Sequence, residues 1–292
     1  MSHIRGIVAD YYELSKPRII LLLLITTAAA MAMAAHGWPP IGIALLTLLG
    51  GALSAASAGA FNCVYDADID AIMRRTQERP IPQGRISKRA GIVYATIVGV
   101  IGFGILYAFV NPLTAWLSLA GNVYYVVIYT MWLKRLTPLN IVIGGAAGAV
   151  PPLVGWAAVT DSIGGPALGL FALIFLWTPP HFWSLSLMTE LDYDRAKVPM
   201  FPNVYGRPRT KREIFYYSAI LVIASLALYP LHVMGAVYFA AAAVLGAIFL
   251  LDAVRTWRET DGTLAARRLF KFSLLYLALM CLVMVVDRII VA

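Results

Sequence analysis

The chain has 292 residues, of which 61% are hydrophobic and only 13% charged. Charges gather in short clusters between long apolar runs, a pattern that excludes a water-soluble globular protein and leaves no room for a separate soluble domain. The net charge of +8 follows from the sorting of Lys and Arg onto one side of a membrane, so it gives no grounds for nucleic-acid binding.

Apolar runs long enough to cross a bilayer fall at 19–35, 41–61, 90–109, 113–133, 139–159, 167–188, 214–233, 235–254 and 270–291. The expected fold class is therefore all-α: a polytopic bundle of nine transmembrane helices around a central cavity, forming a single domain over 1–292 in contact with the lipid bilayer. With nine crossings, every basic residue except Arg288 falls on one side, from Arg5, Lys16 and Arg18 in the N-terminal tail to Arg267, Arg268 and Lys271. Positively charged loops remain cytoplasmic. The expected topology puts the N-terminus in the cytoplasm and the C-terminus outside, in the cell (inner) membrane. Asp10 and Glu13 precede the first run, which argues against a cleaved signal peptide.

The second run ends in Asn62-x₃-Asp66-x₃-Asp70, with Asp68 between, and passes into Arg74-Arg75-Thr76-Gln77-Glu78-Arg79. Four residues of helix rise about 6 Å and turn about 400°, which puts these polar side chains on one face. Two carboxylates at the end of a membrane helix suit Mg²⁺, which takes one or two carboxylates and completes its shell with water and phosphate oxygens. The expectation is a diphosphate held at the membrane surface. Arg75 and Arg79 are candidates for neutralising it, because guanidinium forks match phosphate oxygens.

Small residues at Gly50-Gly51 and Gly144-Gly145-Ala146-Ala147-Gly148 favour close helix contacts in lipid. The sixth run contains Trp177-Thr178-Pro179-Pro180-His181-Phe182-Trp183. The two prolines are expected to kink the helix and free backbone carbonyls. His181 is the single intramembrane histidine of this topology; it either satisfies such a carbonyl or meets a large second substrate. On a straight helix it lies about 16 Å from Asp192, too far to serve a diphosphate.

After this run a second loop carries Asp192 and Asp194, then Arg195, Lys197 and Arg207, with a proline-rich turn from Pro199 to Pro202. Its order of acids, bases and prolines echoes the first loop four helices earlier, which suggests a duplicated four-helix unit plus a ninth helix, with both loops over one cavity. Asp192 is a candidate for a second Mg²⁺, or for orienting a base. Lys197 and Arg207 are further candidates for the diphosphate. Aromatic side chains near the motifs (Phe61, Tyr65, Tyr124, Tyr125, Trp156, Trp183, Tyr193) could shield an allylic cation through their π faces. Cys63 and Cys281 are far apart, lack metal-ligand spacing and are expected to serve packing.

The string 62–80, with Tyr65-Asp66-x-Asp68-Ile69-Asp70, Met73-x-Arg75-Thr76 and Arg79-Pro80, resembles the first signature of the UbiA-type intramembrane prenyltransferase family, in its haem-modifying branch. The likeness continues through Lys16-Pro17-Arg18, residues 140–156, Thr178 to Trp183, and Asp192-Tyr193-x-x-Ala196-x-Val198-Pro199-Met200. Ala67, Asp194 and Lys197 depart from the pattern. The resemblance implies Mg²⁺-dependent binding of farnesyl diphosphate by Asp66 and Asp70, supported by Asn62 and Asp192. It also implies ionisation to an allylic cation, attack by a vinyl group of haem b with addition of water, and His181 as a candidate axial ligand to the haem iron. Contacts with later haem-modifying or oxidase-assembly enzymes are a further expectation from it. The alternatives are polyprenyl transfer to a quinone precursor or tetrapyrrole and, from a different class, transport of haem or an anionic lipid.

Overall fold

The computed structural model describes residues 2–290, with the side chains of 2–5, including those of His3 and Arg5, outside the described residues. Among the described residues there is no strand; every element is helical. In chain order these are α1 (Ser2–Leu14), α2 (Pro17–Ala34), α3 (Ile41–Tyr65), α4 (Ala67–Ile72), α5 (Lys88–Phe109) and α6 (Pro112–Val123). A π-helical stretch, Tyr124–Leu133, continues α6 into the short α7 (Lys134–Leu136). There follow α8 (Asn140–Ala149), α9 (Pro151–Thr160), α10 (Gly165–Met188), α11 (Glu190–Arg195), α12 (Phe201–Ala227), α13 (Ala236–Arg258) and α14 (Leu264–Ile290).

Seven helical rods are long and apolar enough to cross a membrane, α8 and α9 counting as one rod over Asn140–Thr160. The chain is thus a multi-pass membrane protein. The two other expected crossings fall on elements of a different make. The run 113–133 is divided between α6 and the π-helix. The run 214–233 falls on α12, which also carries Arg207, Arg209, Lys211 and Arg212 and ends at Ala227, ahead of the helix-breaking Pro230. The last residue of the ninth run, Val291, lies outside the described residues.

The N-terminal tail is helical, because Tyr11 and Leu14 recur on one face and pack with Ala60, Cys63 and Val64 of α3. The Pro179-Pro180 pair does not end α10, which runs on to Met188. The Thr178 and Ser184 hydroxyls donate back to the Ile174 and Pro180 carbonyls at 2.7 and 2.6 Å.

The rods form a closed ring. Successive neighbours pack from α2 through α3, α5, α6, the α8–α9 rod, α10, α12 and α13 to α14, and α14 returns to α2. The largest apolar core runs from α2, α8 and α9 through α10, α12, α13 and α14, with Trp183, Phe249, Tyr276 and Met280 all fully buried. Close approaches depend on glycine at a few points. At Gly155 of α9, an added methyl would overlap the Thr27 carbonyl oxygen of α2.

Candidate active site

α3 stops at Tyr65 and α4 starts at Ala67, yet the hydrogen bonds carry on across the joint: Asp66 N–H donates to Asn62 O at 2.9 Å and Asp70 N–H to Asp66 O at 2.7 Å. Asn62, Asp66 and Asp70 therefore keep one face, at 4%, 0% and 2% exposure, while Asp68 points outward. Buried carboxylates persist only when paired. Asp66 accepts from the Asn62 amide at 2.8 Å and from Lys134 Nζ, and Arg135 stands 4.0 Å from its other oxygen. Arg79 donates to Asp70 at 2.6 Å, and Lys16 donates to the Asn62 carbonyl oxygen.

Lys16, Thr130, Lys134 and Arg135 are site residues that sequence reasoning assigned no role. Lys134 and Arg135 end the fourth rod and read as topology signals. Their delivery to Asp66, and the 3.1 Å hydrogen bond from Asn62 to Thr130, depend on the π-helix that precedes them. Such stretches occur frequently at functional sites. Lys16 adopts the left-handed conformation at φ 56° just before Pro17, a backbone state that costs on the order of 1–3 kcal/mol in a non-glycine residue. Gly59 admits it: an added methyl there would sit 3.2 Å from the Ser15 carbonyl oxygen.

On the outer rim, Arg135 holds Asp68 through two hydrogen bonds of 2.7 and 2.8 Å and lies 5.0 Å from the centre of the Tyr65 ring. The hydrogen bond to Arg135 lowers the Asp68 carboxyl to about 2, so it is charged at any physiological pH. Arg75 is exposed, without an ion pair among the described residues.

The second loop meets the first directly. Ile69 and Met73 of the first loop share an apolar cluster with Val198 and Met200 of the second, flanked by Tyr129, Phe182, Tyr193 and Ala196. Asp192 is half-buried on α11, 4.0 Å from Arg195, whereas Asp194 and Lys197 are exposed. Lys197, at φ 52°, forms the turn that swings Val198 back to donate to Tyr193 O at 3.1 Å. Arg207 turns away from the acids of the first loop to Gly262 O at 2.7 Å, with Glu190 at 3.6 Å.

No group of three or more His, Cys, Asp or Glu side chains is gathered for a metal among the described residues. Asp192 is therefore not drawn into one ligand set with Asp66 and Asp70. The remaining donors still suit Mg²⁺. One Asp66 oxygen is buried without a hydrogen-bond partner, the donors are hard oxygens, and Mg²⁺ needs no more than one or two carboxylates when phosphate and water supply the rest.

His181 lies apart from the acids, stacked between Trp177 at 4.2 Å and Phe270 at 4.7 Å. Its Nδ1 is 2.7 Å from Ser273 Oγ. Ser273 Oγ also lies 2.7 Å from Phe270 O; a hydroxyl that donates there accepts from Nδ1–H, which is the tautomer with an unprotonated Nε2.

Comparison with known proteins follows the same lines. The model of the UbiA prenyltransferase family matches residues 23–275. Protoheme IX farnesyltransferase of Synechocystis sp. is 53% identical over 95% of this chain and 88% of its own length. The enzyme of the same name from Gloeobacter violaceus is 52% identical over 96% and 92%. Among solved structures, a digeranylgeranylglyceryl phosphate synthase superposes with TM-score 0.80 at 20% identity, covering 97% of this chain and 99% of that one. A UbiA homologue from Archaeoglobus fulgidus bound to GPP and Mg²⁺ gives 0.66 at 17%, covering 94% and 99%. At these identities the two structures speak for the fold alone.

Proposed function

The chain belongs to the UbiA prenyltransferase family, and from that premise we propose that it transfers the farnesyl group of farnesyl diphosphate to a vinyl group of haem b. Water adds in the same reaction, giving haem O and diphosphate. The observation that carries the reading is the buried Asn62, Asp66 and Asp70 face, ringed by Lys16, Arg79, Lys134 and Arg135. The farnesyltransferase relatives, about half identical over nearly the whole chain, support the choice of both substrates.

Asp66 and Asp70 would hold Mg²⁺, which would neutralise phosphate oxygens as the C–O bond breaks. Asn62 orients Asp66, and Asp192 is a candidate from the facing loop, for a second Mg²⁺ or for the diphosphate itself. Arg79, Lys134 and Lys16 supply fixed positive charge where the leaving group forms, a contribution that in enclosed sites is often the largest part of catalysis. Arg75 and Lys197, both exposed, would meet the diphosphate as it enters or leaves. Bond breaking leaves an allylic cation, and Tyr125 and Tyr129, rings 5.4 Å apart, lie on the π-helix beside Thr130, where their faces would shield it. The vinyl carbon of haem b then attacks C1 of the farnesyl cation, and water completes the addition with loss of a proton.

His181 is read as the ligand to the haem iron, because Ser273 engages Nδ1 and not Nε2 and imidazole commonly takes that place. His181→Ala should then remove the Soret shift seen when haem b is titrated into the purified protein and cut haem O formation, with Mg²⁺-dependent binding of farnesyl diphosphate intact. An unchanged spectrum would return His181 to a packing role against Trp177 and Phe270.

The whole chain is read as one transmembrane domain in the cell (inner) membrane, N-terminus cytoplasmic and C-terminus outside. The direct test supplies purified protein with haem b, farnesyl diphosphate and Mg²⁺, with an aromatic acid and a longer polyprenyl donor as the competing pair. Haem O and diphosphate are expected from the first pair. Product from the second pair alone would assign the chain to quinone chemistry, and no diphosphate with any acceptor would favour transport.

A further inference from the structure

A second charged site lies away from the acids of the first loop, between α13 and α14. A cavity of about 410 Å³ opens there, with Arg267, Arg268 and Lys271 at one end and Ile248, Phe272 and Leu275 along the rest. Positions 264, 267, 268, 271, 272 and 275 form one stripe of α14 at helical spacing. Phe270 and Ser273, which touch His181, stand on a different face, so the cavity does not open onto that histidine.

The charged end is built. Asp252 is 1% exposed and accepts from Arg255 at 2.7 Å and from the Arg268 Nε at 3.3 Å. Engaging Nε leaves the two terminal nitrogens of Arg268 to a ligand, at an angle fixed by a buried carboxylate. Arg267 and Lys271 are exposed and make no ion pair among the described residues. The groove therefore holds a clear excess of positive charge, since its one acid is already matched by two guanidinium groups. Below the charges the lining is apolar, and Leu275 is half exposed on the outer surface of the bundle.

We propose that this groove binds one anionic phospholipid of the surrounding leaflet, with its phosphate on Arg268, Arg267 and Lys271 and an acyl chain along Phe272 and Leu275. Basic pockets between membrane helices at the cytoplasmic surface select anionic headgroups in this way, each nearby Lys or Arg adding about 1 kcal/mol. A lipid there would join α13 to α14, the helix that closes the ring against α2.

The test titrates the detergent-purified chain with phosphatidylglycerol, phosphatidylcholine, inorganic phosphate and farnesyl diphosphate, counting bound molecules by native mass spectrometry. Tight, stoichiometric phosphatidylglycerol is expected, with phosphatidylcholine and phosphate weak. The double variant R267Q/K271Q, which leaves the Asp252 network in place, should weaken phosphatidylglycerol about thirtyfold while Asp66-dependent binding of farnesyl diphosphate stays unchanged. Equal retention of the two phospholipids by the wild-type chain, or phosphatidylglycerol binding unaltered in a folded double variant, would overturn the proposal. So would farnesyl diphosphate displacing phosphatidylglycerol in a manner lost with R267Q/K271Q, which would make the groove a prenyl diphosphate site.

Discussion

Replacing Asp66 by asparagine should lower haem O formation by roughly a thousandfold or more, the scale seen when a group that stabilises developing charge in an enclosed site is removed. Asp66 is 0% exposed and pairs with Lys134. Asparagine keeps the volume but removes the charge that offsets Lys134, and leaving a buried cation unpaired costs about 3–5 kcal/mol. Activity and folding must therefore be read together. A thermal melt in detergent shows whether the variant is folded, and Asp68→Asn is the control. Asp68 carries the same charge only two residues away, but its pair with Arg135 is exposed, a class of pair worth about 0–1 kcal/mol. Asp68→Asn should leave turnover within a few fold. Normal turnover in folded Asp66→Asn, or equal losses in both variants, would remove Asp66 from its assigned role.

Gly155→Val should prevent the protein from accumulating in the membrane, and Gly155→Ala should lower stability by about 1–3 kcal/mol. A methyl at Gly155 would overlap the carbonyl oxygen of Thr27 and come within 3.0 Å of its carbonyl carbon and 3.2 Å of its Cα. All of these atoms belong to the backbone of α2, so no rotamer change can make room. The contact joins the first rod of the ring to the fifth, and α2 would have to move away from α9 and disturb its packing on α14. Gly148→Ala is the matched control, because nothing lies within 4 Å of the added methyl. Melting of the three detergent-solubilised proteins tests this, and a Gly155→Ala chain as stable as Gly148→Ala would show that the helices are not so closely apposed.

Much of this was legible in the sequence because lipid imposes coarse rules. Apolar runs long enough to cross and the sorting of Lys and Arg locate rods without any knowledge of packing. The i, i+4 spacing of Asn62, Asp66 and Asp70 survives a helix break that the letters do not show, since the hydrogen bonds bridge it. What escaped depends on contacts between distant segments. Lys16 lies 46 residues from Asn62, and Lys134 lies 68 from Asp66. In one dimension both look like topology signals flanking membrane helices. The π-helix over 124–133 carries no turn residue or proline to announce it. Pro179-Pro180 lies within α10, whereas Pro230 follows the end of α12.

The central claim is that Asp66 and Asp70 seat a divalent ion together with the diphosphate, and Mn²⁺ provides a probe that can be counted by electron paramagnetic resonance. With two carboxylates and no third ligand gathered among the described residues, the ion should bind weakly to the protein alone. It should bind tightly once a non-ionising farnesyl thiodiphosphate supplies phosphate oxygens, and Asp66→Asn should abolish that gain. Mn²⁺ held equally well by the wild-type chain and by folded Asp66→Asn in the presence of the thiodiphosphate would contradict the account.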